Sequence, residues 1–127
     1  MKRNTPFGTC LLLLAFLPCL GCSRQAQFVD RIAGADRLVL AKVSSTNGTV
    51  KISIEGSEVR DILSAVRSAR SGAGDAAPPY YEAVKIQFLK GTNALGDIVA
   101  YEDLFWMDKE TYQDDTGTVR RLYKRIR

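Results

Sequence analysis

Residues 102–115 hold the densest group of chemically capable side chains in this sequence. The six carboxylates of this segment are Glu102, Asp103, Asp108, Glu110, Asp114 and Asp115. Paired carboxylates can hydrolyse glycosidic bonds, and carboxylates that converge from one loop can bind calcium or magnesium. No Asp-x-Asp-x-Asp-Gly order is present. We interpret the segment as a solvated acidic edge and predict no metal ion. A hydrolase that uses Asp103 or Asp108 is the alternative.

The tripeptide Asp115-Thr116-Gly117 also occurs at the active sites of aspartic proteases. Those enzymes bring two such carboxylates together on buried loops. This chain has one copy of the tripeptide, and its flanking residues are largely polar. We therefore interpret it as a turn and N-cap, which places an anion at the positive end of the last helix.

Histidine is absent from the chain. Its absence removes the most common general base, the usual zinc ligand and every Ser-His or Cys-His pair. We therefore predict no catalytic residues, no cofactor and no enzymatic activity.

Basic side chains occupy the polar side of the last predicted helix, near residues 118–127. They are Arg120, Arg121, Lys124, Arg125 and Arg127. Cations at a helix C-terminus are favourable by themselves, so a solvated face explains them. An anionic lipid surface would add about 1 kcal/mol per basic residue. Arg121 and Arg125 are therefore candidate binding residues.

Phe105 and Trp106 are neighbours on a predicted strand. Adjacent residues of a strand point to opposite faces, so the two rings cannot both enter one core. An aromatic residue on the open side of the sheet is a candidate for contact with a partner, because tryptophan is enriched at interfaces. Packing under the loop at 72–79 is the alternative explanation.

The first 21 residues have the order of a secretory signal peptide. Two basic residues open the chain, an apolar run of eleven residues covers 10–20, and the small Gly21 precedes Cys22. The apolar run is too short to span a bilayer.

The residues Cys19-Leu20-Gly21-Cys22 resemble the lipobox of bacterial lipoproteins. That family favours leucine at the position that Cys19 occupies. The resemblance implies that the signal is cut before Cys22, that its thiol is diacylated and that the new amine is acylated. It also implies a lipid anchor on the exported side of the bacterial cell membrane or outer membrane.

Cleavage before Cys22 would leave enough chain for one domain. The net charge of the full chain is +4, and loss of Lys2 and Arg3 lowers it to +2. Net charge therefore gives no support for nucleic-acid binding. Cys22 is then the only cysteine, so a hydrophobic core must stabilise the domain without an internal disulfide. Composition leaves the oligomeric state open.

The elements that must position these residues follow from hydrophobic periodicity. Strand patterns fall at 37–43, 50–55, 84–88, 95–101 and 104–107, a strand stub falls at Thr111-Tyr112, and helix patterns follow Ser57 and Thr118. Asn47-Gly48 and Lys90–Asn93 predict hairpin turns. Short connections predict an α+β fold of two layers, with a mainly antiparallel sheet of about five strands and two helices on one face.

These patterns divide the chain into three parts. We predict a signal peptide at 1–21, a lipidated cysteine, polar tether and short helical turn at 22–36, and a single α+β domain at 37–127. The predicted function is a non-enzymatic envelope lipoprotein that binds an envelope protein through its sheet face or a loop. The alternatives are an envelope hydrolase that uses carboxylates in 102–115 and a peripheral module that binds anionic lipid through the last helix.

Overall fold

The computed structural model describes residues 23–43, 51–72 and 82–126. The helices in this part of the chain are α1 (Ser23–Ile32), α2 (Ser57–Ser68) and α3 (Thr118–Arg125). The strands are β1 (Arg37–Lys42), β2 (Lys51–Glu55), β3 (Arg70–Ser71), β4 (Val84–Lys90), β5 (Asn93–Tyr101), β6 (Leu104–Met107) and β7 (Glu110–Gln113). Among the described residues, no helix has the length and apolar content that crossing a bilayer requires. The predicted Asn47-Gly48 turn lies outside the described residues.

The strands form one open sheet in the order β2-β1-β4-β5-β6-β7-β3. Every neighbouring pair is antiparallel. The predicted hairpin between β4 and β5 is confirmed, since Lys90 pairs with Asn93 across the turn. Gly91 adopts a φ of 60° there, a conformation that glycine accepts without steric cost.

One face of the sheet forms the hydrophobic core. Side chains alternate along each strand, so one set points towards the helices. The buried strand residues of this core face are Leu38, Leu40, Ile54, Val84, Ile86, Phe88, Ile98, Ala100, Phe105, Met107 and Tyr112. All three helices contribute buried residues to the same core. The other face, here named the open face, has no helix over it in the described part of the chain.

Helix α1 differs most from the sequence prediction. Residues 23–27, the polar part of the tether and short helical turn predicted for 22–36, form its first half. Its apolar residues Phe28, Val29 and Ile32 are buried in the domain core. A helix of ten residues is marginal alone in water, so docking onto the sheet stabilises it.

The docking of α1 depends on a close approach to β5 at Gly96. A Cβ at this position would lie 3.0 Å from Cε1 of Phe28 and 3.4 Å from Cγ2 of Ile32. The Phe28 ring also meets the Phe88 ring edge to face, with 6.2 Å between the ring centroids. The glycine therefore forms the notch into which α1 packs.

The ends of α2 are also held differently from the prediction. The sequence predicts a helix after Ser57, a residue type that commonly caps helices. The helix instead includes Ser57 as its first residue and begins after Gly56, whose φ is 83°, and no side chain caps it there. At the other end, Nε2 of Gln25 donates to the carbonyl oxygens of Val66 at 2.9 Å and Ala69 at 3.1 Å. The side chain from α1 thus satisfies carbonyls that a helix end leaves unpaired.

The predicted α+β class and the antiparallel sheet are confirmed, but both element counts are wrong. The described residues form seven strands in place of about five, and three helices in place of two. The predicted stub Thr111-Tyr112 is part of the full strand β7. Both residues of β3 are exposed, so no apolar pattern marks it. It exists as a strand because it pairs with β7.

Candidate binding surface on the open sheet face

Trp106 lies on the open face because its neighbours on β6, Phe105 and Met107, point into the core. The Trp106 side chain is half-buried. It pairs with Val99 of β5 on one side and with Thr111 of β7 on the other. The tryptophan is therefore flanked by other strands and does not stand at an edge of the sheet.

A row of paired residues extends this position across five strands. The row, here named the open-face strip, consists of Ala41, Lys85, Val99, Trp106 and Thr111. Neighbouring strands are about 4.8 Å apart, so the strip is about 19 Å long. Only Thr111 of this strip is buried, with 6 % of its surface exposed.

Charged and polar side chains lie within the strip and beside it. Nζ of Lys85, a member of the strip, lies 3.7 Å from a carboxylate oxygen of Asp97, and both side chains are 48 % exposed. Gln87 pairs with Asp97 in the next row of the open face. The apolar part of the strip, Val99 and Trp106, thus has polar and charged neighbours, a combination that is usual in protein interfaces.

Phe105 occupies the opposite face from Trp106. It is fully buried, and its ring stacks on the ring of Tyr112 with 5.4 Å between centroids and 13° between planes. Phe105 is therefore a core residue and does not line the open face, although the sequence proposes it as a binding residue. Burial raises the pKa of Tyr112 to about 12, and the adjacent Glu110 carboxylate, which accepts a hydrogen bond from the hydroxyl at 3.0 Å, adds to the rise.

The carboxylates of residues 102–115 are dispersed, and most have partners within the protein. Asp103 accepts a hydrogen bond from Nε2 of Gln113 at 3.4 Å and lies 3.6 Å from Nη2 of Arg120. The Glu110 carboxylate accepts a hydrogen bond from the Tyr112 hydroxyl, and its Oε1 lies 3.9 Å from Nη1 of Arg24. Within the described ranges, no three acidic or cysteine side chains converge as a metal site would require.

Asp114, and not Asp115, caps α3. It is 2 % exposed. Its Oδ2 accepts a hydrogen bond from the backbone N–H of Val119 at 2.9 Å, and its Oδ1 accepts from the N–H of Thr116 at 2.9 Å and from that residue's hydroxyl at 2.6 Å. The predicted turn is present, but the predicted N-cap by the tripeptide is wrong: the N-cap position is Gly117, which has no side chain to cap with, and the anion at the start of the helix is Asp114. Gly117, at φ 83°, turns the chain so that Asp114 reaches back to the helix.

Asp115 instead joins the segment before α3 to the outermost strand. Its carboxylate accepts from Nε of Arg70 at 2.7 Å and from Nη2 at 3.2 Å. This hydrogen-bonded guanidinium lowers the pKa of Asp115 below its ordinary value of 3.8. The carboxylate thus takes part in a bidentate pair that holds β3.

The basic residues of α3 divide into two kinds. Arg125 forms a bidentate pair with Glu58 of α2, at 2.8 Å and 3.0 Å. The pair lowers the pKa of Glu58 and connects the two helices. Arg120 pairs with Asp103, whereas Arg121 and Lys124 are exposed and form no ion pair with any described residue. Cys22 and Arg127 lie outside the described residues.

The roles of several of these residues could not be predicted from the sequence. Asp114 directly precedes the tripeptide, and its role as a cap follows from its burial, which the sequence does not show. Gln25, Glu58 and Arg70 each bind a residue far along the chain, so no local spacing marks them.

Comparison of the chain with protein-family models, curated proteins and solved structures finds no match.

Proposed function

We propose that this chain is a bacterial envelope lipoprotein that binds a protein partner through its open sheet face. In this proposal, Cys22 carries the lipid anchor and the domain has no enzymatic activity. The half-buried Trp106, flanked by β5 and β7 on a sheet face without a covering helix in the described chain, is the observation that carries the binding role. Tryptophan at such a position buries a large area when a partner covers it.

The anchor is supported by the order of the first 22 residues. A positive start, a short apolar run and the residues Cys19-Leu20-Gly21-Cys22 match what a lipoprotein leader requires. Helix α1 begins at Ser23, directly after the proposed lipid attachment. An anchored domain would then be held close to the bilayer surface, because no spacer separates Cys22 from the helix.

The partners of the acidic and basic side chains favour a binding module over the two alternatives. A hydrolytic pair needs two carboxylates that face a substrate together. Asp114 caps a helix, Asp115 binds Arg70, and Asp103 contacts Gln113 and Arg120. Arg125 forms an ion pair with Glu58, and this pair reduces the net positive charge with which α3 could bind an anionic lipid surface.

The anchor can be tested by substitution of one cysteine inside and one outside the proposed lipobox. Cys22→Ala should remove the protein from the membrane fraction or block its processing, because it removes the attachment site of the acyl chains that anchor the protein. Cys10→Ala, in the apolar run before the lipobox, is the matched control and should leave both unchanged. Mass spectrometry of the mature N-terminus should find a diacylated cysteine. An unmodified thiol there would contradict the proposal.

The binding face can be tested with photo-cross-linking in bacterial membranes. A photoreactive residue at position 99, beside Trp106, should form an adduct with an envelope protein. The same residue at position 60, on the exposed side of α2, is the control and should not form that adduct. Trp106→Ala should abolish the adduct at position 99 while the domain remains folded. Equal adducts at both positions, or an adduct that survives Trp106→Ala, would exclude the open face.

A further inference from the structure

The two edges of the sheet differ in their capacity to pair with another strand. At one edge, β3 has two residues, and its Arg70 is held by Asp115. At the other edge, β2 has five residues, Lys51–Glu55, and β1 is its one partner among the described strands. No described residue forms a strand beyond β2. An edge strand of this length presents unpaired backbone N–H and C=O groups to an incoming strand.

The residues of β2 are arranged symmetrically about Ser53. The sequence is Lys-Ile-Ser-Ile-Glu, so the positions two residues before and after the serine carry opposite charges. In an antiparallel pairing of two copies centred on Ser53, Lys51 of one copy lies opposite Glu55 of the other. The same register places Ile52 opposite Ile54, since directly opposed residues share a face. The edge is therefore complementary to itself.

The side chains of β2 have the exposure that such a pairing needs. Lys51, Ser53 and Glu55 are exposed on the open face. Neither Lys51 nor Glu55 forms an ion pair with any described residue of its own chain. Ile52 is only partly buried, although it points towards the core. A like-charged edge would repel a second copy, whereas this edge attracts it.

We propose that a second copy of this chain pairs with β2 and forms a symmetric dimer with one continuous sheet. A two-fold axis through Ser53 makes the interface isologous, so each copy contributes the same residues. Residues opposite one another in an antiparallel pair lie on the same face, so both open faces lie on one side of the dimer. The dimer would present two copies of the open-face strip. This inference does not depend on the lipid anchor or on the partner of the open face.

The first test traps the dimer at its axis. Two Ser53 residues that face each other have Cα atoms about 5 Å apart, which is within the range of a disulfide bond. Full-length Ser53→Cys, oxidised in whole lysates of expressing cells, should form a covalent dimer that reduction separates. Ser64→Cys, exposed on α2, is the matched control. Equal cross-linking of the two variants would overturn the proposal.

The second test uses charge reversal and does not depend on an introduced thiol. Lys51→Glu alone and Glu55→Lys alone should each raise the dissociation constant of the dimer by about tenfold or more, because each places like charges opposite one another at two symmetric positions. The double variant restores both pairs in reversed order and should recover the affinity. Sedimentation equilibrium of the full chain measures all four proteins, and circular dichroism checks that each is folded. A monomeric parent chain, or a double variant as weak as the single ones, would overturn the proposal.

Discussion

The two faces of the sheet show how differently adjacent residues of one strand are used. Phe105 is fully buried and stacked on Tyr112, whereas Trp106 is half-buried among residues of the open face. The core face is covered by three helices that share one core. Stability therefore depends mainly on the core face, whereas the open face is where we propose that a partner binds. Substitutions on the two faces should separate stability from binding.

The largest expected difference lies between Phe105→Ala and Trp106→Ala. Removing the Phe105 ring should lower the free energy of unfolding by about 3–5 kcal/mol, because it leaves a cavity in the core. Removing the half-buried Trp106 ring should cost about 1 kcal/mol. Urea denaturation of the two variants measures both values. Equal losses would mean that the open face also supports the fold.

The docking of the helix layer can be tested at Gly96. A methyl group there would meet the Phe28 ring at 3.0 Å, so Gly96→Ala should destabilise the protein by about 1–3 kcal/mol through overpacking. Gly34→Ala is the matched control, because its new methyl group would come no closer than 3.7 Å, to Cδ of Lys90. Hydrogen exchange should show faster opening of α1 in the first variant only. If both variants exchange like the parent, α1 does not pack on β5 in this way.

The hydrogen bonds that Asp114 accepts at the start of α3 should contribute less to the free energy of unfolding than core packing does. Asp114→Ala should lower the free energy of unfolding by about 1–2 kcal/mol, since it leaves the N–H of Val119 without its acceptor. Asp115→Ala removes an exposed pair instead and should have a smaller effect. Urea denaturation compares the two. A larger loss for Asp115→Ala would contradict the assignment of the cap.

The pair between Glu58 and Arg125 should contribute least and should depend on pH. Arg125→Gln should cost about 0.2–1 kcal/mol at neutral pH, as partly exposed pairs do. The folded-state pKa of Glu58 is lowered from its ordinary value of 4.5. The contribution is therefore fully present above 4.5 and is lost as the pH falls through the lower folded-state value. The difference between parent and variant should shrink in acid, and Arg121→Gln should show the same trend more weakly, because the Arg121 charge also lowers the pKa of Glu58 but forms no hydrogen bond with it.

Periodic segments of the chain were predictable because their patterns are local. The apolar residues of α2 at Val59, Ile62 and Val66 are buried as their helical spacing predicts. Alternation predicts that Phe105 and Trp106 separate, but not which of them is buried. That choice depends on which face the helices cover, and the helices come from distant parts of the chain.

The candidate site was predictable only in part for the same reason. Trp106 was identified from its residue type and strand position. The ion pair between Arg125 and Glu58 could not be predicted, because these residues are 67 positions apart in the chain. The bidentate pair of Arg70 and Asp115, 45 positions apart, was equally invisible to local patterns.

The sequence by itself determined the leader pattern that ends at Cys22, the α+β class, the amphipathic helices α2 and α3 and the alternation within the strands. These follow from side-chain periodicity over a few residues. The tertiary structure decided that residues 23–27 are helical, that Arg70–Ser71 is a strand and that Asp114 caps α3. In each case the deciding partner is a buried surface, a strand or a backbone group that the fold brings near, and local propensity is too weak to compete with it.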